Sequence, residues 1–180
     1  MSLRILAGLF LTIFLVALIP RFLPPSYTVS RRGEAVAGSV NLMIALQDYH
    51  TQYGHWPDFT GDGLFLDEQR QAQLLRVLLA KDEINNSRKI VFYEGKTATE
   101  RSGKYCSGFH PKTGVFLDPW GQPYRIALDT TGTGIITNPY PDDGPISASV
   151  IVWSLGKDGQ QGAPANPRTA KGSDDICSWQ

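Results

Sequence analysis

The chain opens with an uninterrupted apolar run. Residues 5–19 carry no charged side chain, Arg4 precedes them and Arg21 follows them. About 20 apolar residues cross a bilayer, and the segment reaches that length from 3 to 23 if the two arginines extend to the interfaces. The pattern predicts an uncleaved signal anchor over residues 1–24. A cleaved signal peptide is the alternative, but no small-x-small site follows the run.

Residues outside the apolar run indicate how this anchor is oriented in the membrane. Arg21, Arg31 and Arg32 lie on the far side of the run from Arg4, so the positive-inside rule does not decide it. Cysteines and glycine-rich acidic loops suit an extracytoplasmic compartment. We therefore expect a single-pass protein whose folded part lies outside the cytoplasm.

A helical pattern follows the anchor, at residues 34–53. One face recurs at steps of three and four, as a 3.6-residue period requires, and consists of Ala35, Ser39, Leu42, Leu46, Tyr49 and Tyr53. A second set is expected to widen the core-facing stripe: Val36, Val40, Met43 and Ile44. Gly54 is a natural stop for the helix. Residues 25–57 are thus predicted to form a helical spine.

The remaining residues, 58–180, predict one globular domain of α+β class. A second amphipathic helix is expected at 68–81, capped by Asp67, with Leu74, Leu75, Leu78 and Leu79 on its apolar face. Residues 89–93 (KIVFY), 124–128 and 149–154 are rich in β-branched and aromatic side chains and predict strands. Residues 94–114 are polar and are expected to be loop. The order predicts helices packed on a small antiparallel sheet.

Composition and charge narrow the possible functions. The 180 residues include 17 basic and 17 acidic side chains, so no basic face is expected and nucleic acid is not a predicted partner. The two cysteines, Cys106 and Cys177, are too few for a zinc site. They could pair in an oxidising compartment or remain separate buried thiols, and the sequence leaves both open.

The C-terminal loop, residues 155–175, has almost no hydrophobic side chains. Long loops without packing are uncommon in compact domains and are usually functional or disordered. A hard cation would supply the missing order, because calcium binds six to eight oxygens from carboxylates and carbonyls. Asp158, Asp174 and Asp175 could provide the carboxylates. The alternative is a solvated acidic turn without an ion.

Three short segments together resemble a known family. They are LDPWGQPY at 117–124, WSLGKDG at 153–159 and DDICSW at 174–179, and a helix exit of the form Y-x-x-x-x-G-x-W-P precedes them at 49–57. In this order they resemble the C-terminal half of the major pseudopilin of type II secretion, within the type IV pilin-like family. The resemblance covers residues 114–180 well, 35–57 loosely and 58–113 not at all.

The resemblance implies a fold, a cellular location and a bound metal ion. It implies an inner-membrane anchor, a periplasmic pilin-like domain, and other pseudopilins or secretion-system components as partners. It also implies a calcium ion bound by the side chains of Asp158 and Asp175 and the carbonyl of Leu155, with Ser178 as a further carbonyl donor. The role of Asp174 is not separable from that of Asp175.

The N-terminal run departs from this family. Prepilins carry a leader ending in Gly and then a Phe-Thr-Leu-x-Glu start, and residues 1–23 contain neither this start nor a Glu. That Glu sets the register of subunits in a fibre. The alternative is therefore a stand-alone, membrane-anchored binding module that keeps the fold but does not assemble.

No enzyme is predicted. His50, His55 and His110 are scattered, and the sequence has no G-x-S-x-G, H-E-x-x-H or P-loop motif. Cys106 and His110 are four residues apart, which on a loop we interpret as coincidence. Neither a catalytic residue nor a small-molecule substrate is expected.

A second ion site is a weaker candidate, at residues 58–69. Asp58, Thr60, Asp62 and Gly63 have the spacing of an EF-hand loop, but the twelfth position is Gln69 where a bidentate Glu is needed. An ordinary Asp/Gly turn is the alternative.

Overall fold

The structure is a computed structural model and describes residues 30–59 and 65–180. The predicted anchor lies outside these ranges, as do residues 60–64 of the second ion-site candidate. No helix of the described residues is long and apolar enough to cross a membrane. The helices are α1 Arg31–Tyr53, α2 Glu68–Leu78 and a 3₁₀ turn Pro141–Asp143. The strands are β1 Thr99–Arg101, β2 Lys104–Cys106, β3 Gly108–Phe109, β4 Phe116–Leu117, β5 Arg125–Leu128, β6 Ile135–Ile136, β7 Ile146–Ser147, β8 Val150–Ser154 and β9 Ile176–Cys177.

Helix α1 begins and ends with capping residues that the sequence contains. The Ser30 hydroxyl accepts a hydrogen bond from the Gly33 N–H at 3.1 Å, and Glu34 lies in the positively polarised first turn. At the other end, Gly54 has a φ of 74° and its N–H donates to the His50 carbonyl at 2.8 Å. This left-handed cap confirms Gly54 as the stop.

The buried face of α1 is narrower than predicted. It consists of Ala35, Ser39, Leu42, Ala45, Leu46 and Tyr49. Val36 and Ile44 are 44% and 45% exposed, so the expectation that they widen the core stripe is wrong. Helix α1 packs on the sheet through β8 and β9, and these two side chains stay outside that contact.

Helix α2 starts as predicted and ends earlier. The Asp67 carboxylate accepts from the Arg70 N–H at 2.8 Å, which confirms the cap. The helix stops at Leu78, and Ala80 follows with a φ of 57°. A non-glycine residue in the left-handed region breaks the helical hydrogen-bond series, so the predicted extension to residue 81 is wrong. Leu74, Leu75 and Leu78 are buried as expected.

The central sheet is antiparallel, with strand order β5–β8–β9. Ile126 lies opposite Val152 and Ser154 opposite Ile176. All five residues of β8 are buried, because α1 packs on one face and a second apolar cluster, to which Tyr140, Ile146 and Ala170 belong, covers the other. This confirms the α+β class and the two strands predicted at 124–128 and 149–154.

The strand predicted at residues 89–93 does not form. The N–H groups of Phe92 and Tyr93 both donate to the Leu78 carbonyl, at 2.9 and 3.2 Å. Their rings make edge contacts with Tyr49 and Phe116, at 5.5 and 5.3 Å between centroids. The aromatic side chains are thus placed by the helices and the core, and tertiary packing overrides the strand propensity.

The loop predicted at 94–114 contains three strands instead. Strands β1 and β2 pair as a hairpin, with Thr99 opposite Cys106. Its two-residue turn is Ser102–Gly103, with φ values of 52° and 76°. Positive φ at both central positions matches the right-handed twist of a hairpin. The hairpin is largely polar, and only Cys106 in it is buried, so hydrophobic periodicity did not reveal it.

Candidate metal centre and the C-terminal loop

The loop at residues 155–175 leaves the central sheet from β8 and returns to it as β9. Leu155 is buried at its start and Ala170 near its end, but few other apolar side chains hold it. Its order comes instead from carboxylates that accept hydrogen bonds from backbone N–H groups. The five residues predicted as metal ligands lie in or beside this network.

Asp174 holds the first turn of the loop. Its Oδ2 accepts from the N–H of Lys157 at 2.6 Å and from the N–H of Asp158 at 3.3 Å. Gly156 makes this approach possible, since its φ is 66° and a Cβ there would lie 2.5 Å from the Asp174 carbonyl oxygen. Glycine is required by both conformation and space.

Asp175 holds the middle of the loop and is only 4% exposed. Its Oδ2 accepts from the Tyr140 hydroxyl and from the Gly162 N–H, both at 2.7 Å. Its Oδ1 is buried without a hydrogen-bond partner among the described residues. Burial raises the pKa of Asp175 against the opposing effect of these donors, and burial likewise raises the pKa of Tyr140.

The other predicted ligands are arranged differently. Asp158 is exposed, and its Oδ1 accepts from the Gln160 N–H at 2.8 Å. Ser178 lies against β8, where its hydroxyl accepts from the Val152 N–H and its own N–H donates to the Val152 carbonyl, both at 3.0 Å. The carbonyl oxygens of Leu155 and Ser178 accept no hydrogen bond from the described part of the chain.

These positions partly fit a calcium ion. Among residues 30–59 and 65–180, no three or more His, Cys, Asp or Glu side chains are grouped to hold a metal, so Asp158, Asp174 and Asp175 do not converge. The buried, unpartnered Oδ1 of Asp175 is the oxygen whose surroundings best suit a cation. A calcium ion there would draw most of its six to eight oxygens from backbone carbonyls.

Two acidic residues outside the predicted ligand set, Asp142 and Asp143, also organise the loop. Asp142 accepts from the Arg168 guanidinium at 2.9 Å and from the Asn166 side chain at 3.0 Å. Asp143 accepts from the Thr169 hydroxyl at 2.5 Å and from the Ala170 N–H at 2.8 Å. The acidic pair at 142–143 was visible in the sequence, but its partners are more than twenty residues away.

Asp118 joins the turn at 118–121 to the start of the loop. Its Oδ1 accepts from the N–H groups of Trp120 and Gln122, each at 2.8 Å. Its Oδ2 accepts from the Ser154 hydroxyl at 2.5 Å, and that hydroxyl accepts from the Gly156 N–H at 3.0 Å. Burial raises the pKa of Asp118, although these donors favour the ionised form. The residue is fully buried and acts as a structural connector.

The cysteines and the nearby histidine are separate features. Both cysteines are free thiols, so the Cys106–Cys177 pair left open by the sequence is not formed. Burial raises the pKa of Cys177 to about 12. The His110 side chain is hydrogen-bonded within its own turn, where Nδ1 accepts from the N–H groups of Lys112 and Thr113 at 3.2 and 3.1 Å.

Comparison of the chain with known protein families, with curated proteins and with solved structures finds no match.

Proposed function

We propose that this chain is a structural, pilin-like subunit of a type II secretion or related pseudopilus system. It is anchored in the inner membrane by residues 1–24, its globular domain lies in the periplasm, and calcium stabilises that domain. It has no catalytic activity, and its partners are other pseudopilins or secretion-system components.

One observation carries this proposal: the three sequence segments that resemble the major pseudopilin form one hydrogen-bonded unit. Asp118 of the first segment bonds Ser154 of the second, which bonds Gly156. Asp174 of the third segment bonds Lys157 of the second. Residues that are 36 and 17 positions apart in the sequence are thus joined in a single structural motif.

The calcium ion in this proposal binds at the start and end of the loop. Asp175 Oδ1 and the carbonyls of Leu155 and Ser178 are the available oxygens, with Asp158 and Asp174 at the exposed side. When bound, the ion would neutralise the buried Asp175 carboxylate, whose ionisation burial opposes.

Thermal unfolding of the full chain in detergent micelles tests the ion. Calcium at 100 times its dissociation constant should stabilise the fold by about 2.7 kcal/mol over chelator. Asp175→Asn should abolish the shift, whereas Asp142→Asn, outside the proposed ligand set, should keep it. An unchanged midpoint in wild-type protein, with and without calcium, would reject calcium binding.

A second candidate function is a stand-alone anchored module, and the missing Glu in the apolar run favours it. Cross-linking in membranes separates the two. In a chain carrying Cys106→Ala and Cys177→Ala, single cysteines at the exposed positions Val36 and Ile44 should yield a ladder of oligomers if subunits assemble along α1. Monomers alone would favour the stand-alone module.

A further inference from the structure

We infer that a groove between α1 and residues 91–96 binds an extended segment of another polypeptide, carrying an apolar residue and a basic one. Two adjoining cavities of about 380 and 470 Å³ form the groove. They share four lining residues: Asn41, Tyr93, Glu94 and Gly95. Leu42, Phe116 and Tyr124 form the apolar end next to the core. This inference does not depend on the proposed function.

Most backbone N–H and carbonyl groups along one wall of the groove have no hydrogen-bond partner among the described residues. In residues 91–95, the N–H groups of Phe92 and Tyr93 bond the Leu78 carbonyl. The N–H groups of Val91, Glu94 and Gly95 and all five carbonyls make no hydrogen bond within the described residues. The same stretch has the composition of a strand, and Val91 is 52% exposed. Free donors and acceptors repeated along a chain are completed by another extended backbone.

A buried polar side chain also lines the groove. Ser107 is 5% exposed, and its hydroxyl makes no hydrogen bond within 3.5 Å to any residue that the structure describes. Burial raises the pKa of Glu34, but Lys96 and the neighbouring Ser107 hydroxyl lower it overall. The Ser107 hydroxyl therefore lies close enough to Glu34 to favour its ionised form, but forms no hydrogen bond of ordinary length to it. A donor or acceptor entering the groove would supply the missing partner.

The charges at the groove favour a basic residue in the occupant. Glu34 is paired with Lys96 at 3.0 Å. Glu94 is exposed and forms no ion pair with the described residues. Arg101 is a further positive charge that acts on Glu34, so Glu94 is the carboxylate at the groove that no described cation pairs with. A lysine or arginine next to an apolar anchor matches this arrangement.

Synthetic eight-residue peptides test the inference against the full chain in detergent micelles. Each peptide has alternate positions drawn from Val, Ile, Leu and Phe, and one Lys or Arg. NMR of the ¹⁵N-labelled chain should show saturable shifts at the amides of Val91, Glu94 and Gly95. Methylating alternate backbone nitrogens of a binding peptide, on the edge that pairs, should weaken binding at least tenfold. Equal binding by the methylated peptide, or no binder in the set, would overturn strand addition.

Two tryptophan variants locate the site. Ala37 is exposed on α1 and lines the groove, so Ala37→Trp should fill it and weaken peptide binding at least tenfold. Val36 is the exposed neighbour outside the lining, so Val36→Trp should bind as wild type does. Equal effects of the two variants would contradict the groove. If peptide-free chain self-associates through 91–95 and Ala37→Trp abolishes this, the occupant is a second copy and the inferred partner is wrong.

Substitutions at Glu94 separate the contribution of its backbone N–H to binding from that of its carboxylate. Glu94→Pro removes an N–H that has no partner among the described residues, and should abolish binding. Glu94→Gln keeps the N–H and should weaken only peptides with a basic residue. Equal binding of Glu94→Pro and wild-type chain would show that this N–H plays no part.

Discussion

The core and the C-terminal loop are held in place by different interactions. In the core, the buried face of α1 and the five residues of β8 exclude water with apolar side chains. In residues 155–175 few such side chains exist, yet four carboxylates accept hydrogen bonds from loop donors: Asp142, Asp143, Asp174 and Asp175. An acidic, glycine-rich loop can therefore be ordered by satisfying backbone N–H groups, before any cation is considered.

This difference predicts how each region responds to substitution. Removing a core side chain leaves a cavity that affects the whole domain, because α1 and the sheet share one packed interior. Removing a loop carboxylate releases a few amides whose other contacts are local. Asp118 lies between the two cases, since it is fully buried but bonds the loop through Ser154.

The largest effect is expected in the core. Leu46 is fully buried against the sheet, and Leu46→Ala should lower the free energy of unfolding by about 2–5 kcal/mol through lost burial and a residual cavity. Urea denaturation measures this. The exposed Val36 on the same helix provides the control, and Val36→Ala should change stability by less than about 0.5 kcal/mol. Comparable losses in both variants would show that packing is not confined to the face described.

An intermediate effect is expected at the connector. Asp118→Ala removes the acceptor of Trp120 N–H, Gln122 N–H and Ser154 hydroxyl, and should lower the free energy of unfolding by about 1–3 kcal/mol. Amide exchange at Gly156 should also accelerate, since Ser154 loses its orientation. A stability loss without faster Gly156 exchange would mean that Asp118 supports the turn alone.

The ionisation of Asp118 should also make the free energy of unfolding depend on pH, in a direction that the raised pKa determines. Because burial raises the pKa of Asp118, the folded chain takes up this proton at higher pH than the unfolded chain does. The stability from this uptake is fully present below the unfolded pKa, about 3.9, and is lost as pH rises through the raised folded pKa. Asp118→Asn does not titrate, so the stability of wild type relative to this variant should decline from pH 4 to pH 7. A relative stability that rises over this range would contradict the assigned direction.

The smallest global effect is expected in the loop. Asp174→Ala removes the acceptor of the Lys157 and Asp158 N–H groups, so hydrogen exchange at these two amides should accelerate at least tenfold. The free energy of unfolding should change by less than about 1 kcal/mol, because the opening is local. Asp158→Ala, which releases only the Gln160 N–H, is the matched control and should leave both amides protected.

The sequence predicted those elements whose information is local. The period of α1, its Gly54 stop, the Asp67 cap and the strands β5 and β8 follow from neighbouring residues, and all were confirmed. Residues 89–93 were predicted as a strand because propensity was the only signal. The Leu78 carbonyl and the Tyr49 ring that hold them in place are nonlocal in sequence.

The arrangement of the loop at residues 155–175 was predicted only in part, because many of its contacts are also nonlocal in sequence. Asp174 and Asp175 stood out because the chain around them lacks apolar side chains. Asp142 was not distinguished, since Arg168 is 26 residues away from it in sequence. The free Oδ1 of Asp175 depends on burial by Tyr140 and the loop, which composition does not reveal.

The position of β9 has a consequence for how the chain acquires its structure. Residues 176–178 pair with β8 and contact α1, so the first described helix meets the last strand. Contacts so distant in sequence form slowly, because a long loop must close before they contribute stability. During synthesis, β8 remains an open sheet edge until residue 178 has emerged, and an open apolar edge invites pairing with other chains. The edge of β8 is thus open to such pairing while residues 155–178 are being translated, and protection by a chaperone would be needed at β8 during that interval.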